Sequence, residues 1–123
     1  MSSLLADEEV EDRRLRRREE QQVWLDPATG YSRRAVSPAA GMPLQLVDVT
    51  LPAGVRIEFP ALSYAILHQQ IWILRGKLRF FEGSEQHDLK TGDCLQLAGA
   101  SDCTFENPSQ SNCRYVVALI VGR

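Results

Sequence analysis

A chain of 123 residues with 44% hydrophobic residues and a formal net charge of −2 has the size of one domain with one core. It holds no apolar run near the length of a membrane span, and its charged N-terminus lacks the order of a secretory signal, so a cytoplasmic, non-membrane protein is expected. Three widely spaced cysteines, Cys94, Cys103 and Cys113, argue against a disulfide framework and a zinc ribbon and for free, mostly buried thiols.

Residues 1 to 22 contain no Gly or Pro and carry seven acidic side chains against five arginines, a net of −2. Val10 and Leu15 are too few for a firm apolar stripe. Ser2 or Ser3 can cap a short helix burying Leu4 and Leu5, so the segment reads as a charged helical linker, partly frayed. The run Arg-Arg-Leu-Arg-Arg-Arg is flanked by acids, which is the pattern of a solvated face. The remaining 101 residues balance at nine acidic and nine basic. A nucleic-acid binder shows a basic excess on its folded domain, so direct DNA binding by this chain is not expected.

From Val23 the pattern is short strands separated by turns. DPATGY (26–31) is a turn and YSRRAV a short strand. PLQLVDVTL (43–51) alternates, with Leu44, Leu46 and Asp48 on one face and Gln45, Val47, Val49 and Leu51 on the other. After the turn LPAG, VRIEF (55–59) points Val55, Ile57 and Phe59 one way. QIWILRGKLRFFEG is a long strand pair broken at Gly76. EGSEQ is a hairpin turn and HDL the return strand, in which His87 is expected to be exposed. GDCLQLAG and CTFEN are two more strands, and CRYVVALIV closes the chain. Many short, evenly spaced strands predict an all-β sandwich or barrel of jelly-roll type.

Three segments together resemble the cupin superfamily: LPAGVRIEF, then QQIWILRGKLRF, then LKTGDCLQLAGASDCTFENPS (89–109). The second is similar to the first cupin motif, an apolar strand, a glycine and a leaving strand. The third is similar to the second cupin motif, with Gly-Asp opening it and Asn-Pro closing it. Within that superfamily, VWLDPATGYSRRAVSP, PLQLVDVTLPAG, QQIWILRGKL and the closing ENP…CRYVVAL resemble the C-terminal cupin domain of XRE-family helix-turn-helix transcription regulators. The resemblance covers roughly residues 23 to 121. It implies a cupin domain over 23–123, a double-stranded β-helix, preceded by a linker over 1–22 that resembles the remnant of a DNA-binding domain. It also implies a regulatory role, with DNA reached only through a helix-turn-helix domain that this chain lacks.

Metal-binding cupins place two histidines and a glutamate in the first motif and a third histidine in the second. Counted back from Gly76, the glutamate position is Gln69, and a neutral amide is a poor ligand for a divalent transition metal. The histidine positions fall between Leu62 and Ala65, which read Leu, Ser, Tyr, Ala, and the last falls at Cys103. His68 and Cys103 alone do not make an ordinary metal site. No metal, no other cofactor and no catalytic residue are expected, and His68 reads as a rim residue.

Side chains alternate along a strand, so with Gln69 inward, Ile71 and Ile73 also point in. Cys103, Phe105 and Asn107 share that parity, Ile57 and Phe59 face them, and Tyr115 joins from the last strand. The candidate ligand-binding set is therefore Ile57, Phe59, Tyr64, Gln69, Ile71, Ile73, Cys103, Phe105 and Tyr115. Such a set suits a small organic effector held by apolar contact and one or two hydrogen bonds. Trp72 has outward parity and with Leu74 forms a face for the N-terminal segment or a second subunit to cover, and a homodimer is expected. Two alternatives stand beside the sensory reading: a small metal-dependent cupin enzyme of dioxygenase or isomerase type, and an interaction module with a filled barrel.

Overall fold

The computed structural model describes residues 14–38, 41–60, 66–99 and 101–121, with the backbone alone at 66 and 67. Expectations for Ser2 to Leu5 and for Tyr64 lie outside the described residues. In the described part of the N-terminal segment, one 3₁₀ turn spans Arg18–Glu20. It is closed by the Arg17 N–H donating to Glu20 Oε1 at 2.9 Å.

Ten strands follow: β1 (Val23–Leu25), β2 (Ser32–Ala35), β3 (Leu44–Leu51), β4 (Arg56–Phe59), β5 (Ile66–Arg75), β6 (Lys77–Glu82), β7 (Glu85–Lys90), β8 (Cys94–Gln96), β9 (Cys103–Glu106) and β10 (Cys113–Val121). They form two antiparallel sheets. One runs β1-β2-β3-β10-β5-β8 and the other β4-β9-β6-β7. The all-β expectation is met strand for strand, with Val23–Leu25 as an additional short edge strand.

Each join follows from local chemistry. Between β1 and β2, the Asp26 carboxylate accepts from the Ala28 N–H at 3.1 Å and the Thr29 hydroxyl at 2.8 Å. This Asx-type turn sets Tyr31 on the inner face at the start of β2. Between β5 and β6 the chain leaves one sheet for the other at Gly76. There φ is +89°, and a Cβ would stand 2.8 Å from the Asn112 carbonyl oxygen. Only glycine takes that conformation without strain.

β10 holds the larger sheet together. It pairs with β3 on one side and β5 on the other, so that Tyr115 lies level with Val49 and Ile73, and Val117 with Val47 and Ile71. Its two parities differ in role. Cys113, Tyr115 and Val117 are buried inward with Val49, Leu51, Ile71 and Ile73, against Leu78, Phe80 and Phe105 of the facing sheet. Each such large side chain contributes roughly 1.5–3 kcal/mol of burial. On the outer face Arg114 grips Asp48 of β3 through two hydrogen bonds of 3.0 and 2.7 Å. This is the bidentate fork that a guanidinium forms with a carboxylate.

The Asn-Pro turn after β9 is locked by Asn107, which is fully buried. Its amide donates to the Leu51 carbonyl at 2.9 Å and to the Ser111 carbonyl at 2.7 Å. Its oxygen accepts from the Ser109 N–H and hydroxyl at 3.0 and 2.7 Å. Inward parity is as expected, but the role is to join turn and sheet.

His87 departs from expectation. Its strand pairs Phe80 with His87 and Glu82 with Glu85, which puts the imidazole on the inner face, stacked on Phe80 at 6.5 Å. It is half-buried, with Nε2 3.7 Å from Glu85 Oε1. The polar run HDL concealed that register, since polarity alone does not fix which face is inward.

Candidate ligand-binding cavity

The sheets close on each other around the Ile71, Ile73, Leu78 and Phe80 core and part towards the other end. There they enclose a cavity of about 400 Å³, within the range of small-molecule sites. The larger sheet supplies Val49, Tyr115, Val117, Leu119 and Gln69, with Tyr31 and Arg33 at its β2 side. The facing sheet supplies Phe59, Cys103 and Phe105, and the loop from Gln96 to Gly99 with Ser101 forms part of the rim.

The wall is aromatic. Phe105 stacks on Tyr115 with ring centroids 5.6 Å apart and planes 5° from parallel. Phe59 meets Phe105 edge to face at 5.6 Å, the preferred geometry for such pairs. Polar tips interrupt that wall. The Tyr31 and Tyr115 hydroxyls, the Gln69 amide and the Arg33 guanidinium have no side-chain hydrogen-bond partner among the described residues. Burial raises the phenol pKa of both tyrosines, and the Arg33 charge works against that rise at both. Among the described residues no aspartate or glutamate lines the cavity.

Of the nine candidate residues, Phe59, Gln69, Cys103, Phe105 and Tyr115 line the cavity together. Ile57, Ile71 and Ile73 do not. All three are inward, but Ile71 and Ile73 are fully buried in the core further along β5, and Ile57 packs against that core. Parity told which side they face and not how far along the sandwich the cavity extends. Sequence reasoning missed Tyr31 and Arg33. Their signal was present, since both share one parity in YSRRAV, and Arg33 is level with inward Val49. The rim loop carried no periodic signal at all. His68, expected at the rim, is exposed and lines the cavity there.

No protein-family model matches the sequence, and no curated protein matches it. Solved structures do match in shape. The Cupin_2 domain of an XRE-family transcriptional regulator from Enterobacter cloacae superposes with a TM-score of 0.68 at 14% identity, covering 76% of this chain and 98% of that one. A transcriptional regulator of the HTH_3 family from Vibrio cholerae matches with a TM-score of 0.70 at 15% identity. The match covers 86% of this chain and 58% of that regulator, so this chain corresponds to little more than half of it. A predicted oxalate decarboxylase from Thermotoga maritima matches with a TM-score of 0.71 at 14% identity, covering 88% of this chain and 99% of that one.

The fold is the cupin fold.

The structural neighbours are mixed, regulators and enzymes alike, so the fold does not choose between them. The residues are more selective. A divalent metal in the cavity would have to be held by His68, Gln69 and Cys103. Gln69 offers a neutral amide. The Cys103 thiol donates to the Ser101 carbonyl at 3.3 Å. Burial, then the negative charges of Glu82 and Asp102, raise its pKa, so it stays protonated. A thiol must lose that proton to bind metal. This set does not fit a metal centre.

Elsewhere among the described residues, Glu82, Glu85 and His87 bring one ligand atom each within 4.8 Å of one another. Glu82 Oε2 already accepts from the Ala98 N–H, and His87 faces Glu85. Of the three, Glu82 alone ties the hairpin to the rim loop.

Proposed function

We propose that this chain is the sensory cupin domain of a transcription regulator, binding a small effector in its cavity without a metal. The observation that carries the reading is the cavity wall itself. It joins aromatic side chains to unpartnered hydrogen-bond donors, and by the motif resemblance Gln69 and the protonated Cys103 thiol stand in for the carboxylate and imidazole of a metal-dependent cupin. The shape match to regulator cupin domains supports the regulatory role. On this reading the protein is cytoplasmic and not an enzyme. No helix among the described residues is long and apolar enough to cross a membrane.

The same reading makes the domain a homodimer through the outer face of the larger sheet. Trp72 is 50% exposed there. It lies in an apolar groove with Leu46, Leu74, Val116 and Ala118, a surface that a second subunit would cover. A dimer would suit a regulator reading a palindromic operator.

Elemental analysis of protein purified without chelators tests the central claim, with metal expected far below one per chain. Native mass spectrometry of the same sample is expected to show a dimer, with any retained mass released on unfolding. One metal per chain, lost on Cys103→Ala or His68→Ala, would overturn the reading in favour of a cupin enzyme. That alternative draws support from the decarboxylase-like shape match.

A further inference from the structure

The wall of the cavity has a one-sided electrostatic character. Arg33 is solvent-exposed but lines the cavity, level with Val49, which is in turn level with Tyr115. Arg56, Arg79 and Arg114 each have a carboxylate within ion-pair distance. Arg33 has none among the described residues. The other unpartnered tips facing the cavity, the two phenols and the Gln69 amide, can all donate hydrogen bonds. Apart from His68, Gln96, Ser101 and the Cys103 thiol, the rest of the described wall is apolar and aromatic.

Resting on the effector-binding reading above, we propose that the effector is a small organic carboxylate. Its anionic head meets the Arg33 guanidinium, and its apolar body lies against Phe59, Phe105 and Tyr115. A guanidinium matches a carboxylate with two parallel hydrogen bonds, and a tyrosine hydroxyl at the same wall can donate a third. A cationic ligand would meet Arg33 with no carboxylate to receive it. A purely polar anion would leave the aromatic wall unused. The influence of Arg33 on both tyrosines agrees with a guanidinium charge that reaches the cavity interior.

Calorimetric titration at fixed ionic strength with benzoate, its neutral isostere benzamide, and inorganic phosphate tests the proposal. Benzoate is expected to bind about tenfold or more tighter than benzamide, the scale of one charge-assisted hydrogen bond. Phosphate is expected to bind weakly. Arg33→Gln should abolish the preference for benzoate, weakening benzoate far more than benzamide. Arg33→Lys should restore part of the preference. Arg34→Gln, on the opposite face of the same strand, should change nothing. Equal binding of benzoate and benzamide would overturn the carboxylate assignment while leaving a metal-free effector cavity intact. So would a loss of preference that is the same in Arg34→Gln. Phosphate binding as tightly as benzoate overturns the role of the aromatic wall. Failure of benzoate to bind at about 10 mM overturns the proposal outright, whatever the metal content and native mass show for the broader reading.

Discussion

Asn107 allows the sharpest test of how the closed end of the sandwich, opposite the cavity, is held together. Its side chain makes four hydrogen bonds, two given and two received, at a site with no solvent exposure. In Asn107→Ala, the Leu51 carbonyl loses a buried donor. The Ser109 hydroxyl has a second acceptor in the Ser111 carbonyl at 3.0 Å, so part of the network survives. One orphaned buried carbonyl costs about 1–3 kcal/mol. With the small void added, the loss is expected at about 2–4 kcal/mol. Asn107→Asp is the more informative change. A carboxylate would turn an oxygen toward two carbonyls and destabilise more than alanine at neutral pH. Protonation restores a donor, so the folded state favours the neutral acid and its pKa in the folded state is raised. The penalty is then absent below the unfolded value near pH 4 and grows as pH rises through the folded value. Urea unfolding followed by circular dichroism, at about pH 4 and pH 7, measures both. An alanine variant within about 0.5 kcal/mol of the parent, or an aspartate variant with no pH dependence beyond the parent's, would refute the reasoning.

Gly76→Ala should cost at least about 1–3 kcal/mol, because alanine must adopt φ near +89° and its Cβ meets the Asn112 carbonyl oxygen; thermal unfolding reads it. Trp72→Glu should leave the fold intact by circular dichroism and convert a dimer to monomer by analytical ultracentrifugation, and an unchanged mass would remove this face from the interface. The Cys113 thiol is fully buried, and burial pushes it from an ordinary value near 9 up to about 11. Folding favours the neutral thiol, so that part of the stability is complete below about pH 9 and is lost as pH rises towards 11, a decline that Cys113→Ala should lack. For the same reason a thiol reagent at pH 8 should label exposed Cys94 first and Cys113 only on unfolding.

The strands were legible because alternation and turn chemistry agree over most of the chain. PLQLVDVTL alternates from Val47 to Leu51, CRYVVALIV is an apolar run of strand length, and Gly76 and Asn-Pro mark the places where the chain leaves a sheet. The HDL strand was placed correctly, but the inner position of His87 was hidden. Its register is fixed by pairing to β6 and not by its own composition. The cavity was half legible for a related reason. Parity identified Gln69, Cys103, Phe105 and Tyr115 as inward, yet it also selected Ile71 and Ile73, which the sandwich closes over. Arg33 went unseen because an arginine in a short strand normally signals solvent, and Arg33 is indeed exposed at the cavity mouth. Only the pairing of β2 on β3 sets it level with Val49 and so at the cavity.

β5 and β10 connect the two surfaces on which the proposed function depends. Along β10, Tyr115, Val117 and Leu119 line the cavity while Val116 and Ala118 line the outer groove. Along β5, Gln69 reaches the cavity while Gln70, Trp72 and Leu74 line the groove. The two surfaces therefore share one sheet, two strands wide at the point of overlap, with no intervening layer. Close-packed side chains do not deform freely, so a ligand that shifts these strands inward must also shift the outer face. Whether a shift follows depends on a ligand that contacts the two states unequally. A ligand gripped at Arg33 on β2 and at Tyr115 on β10 spans three neighbouring strands, β2, β3 and β10. Drawing those strands together is the kind of differential contact that such a switch requires.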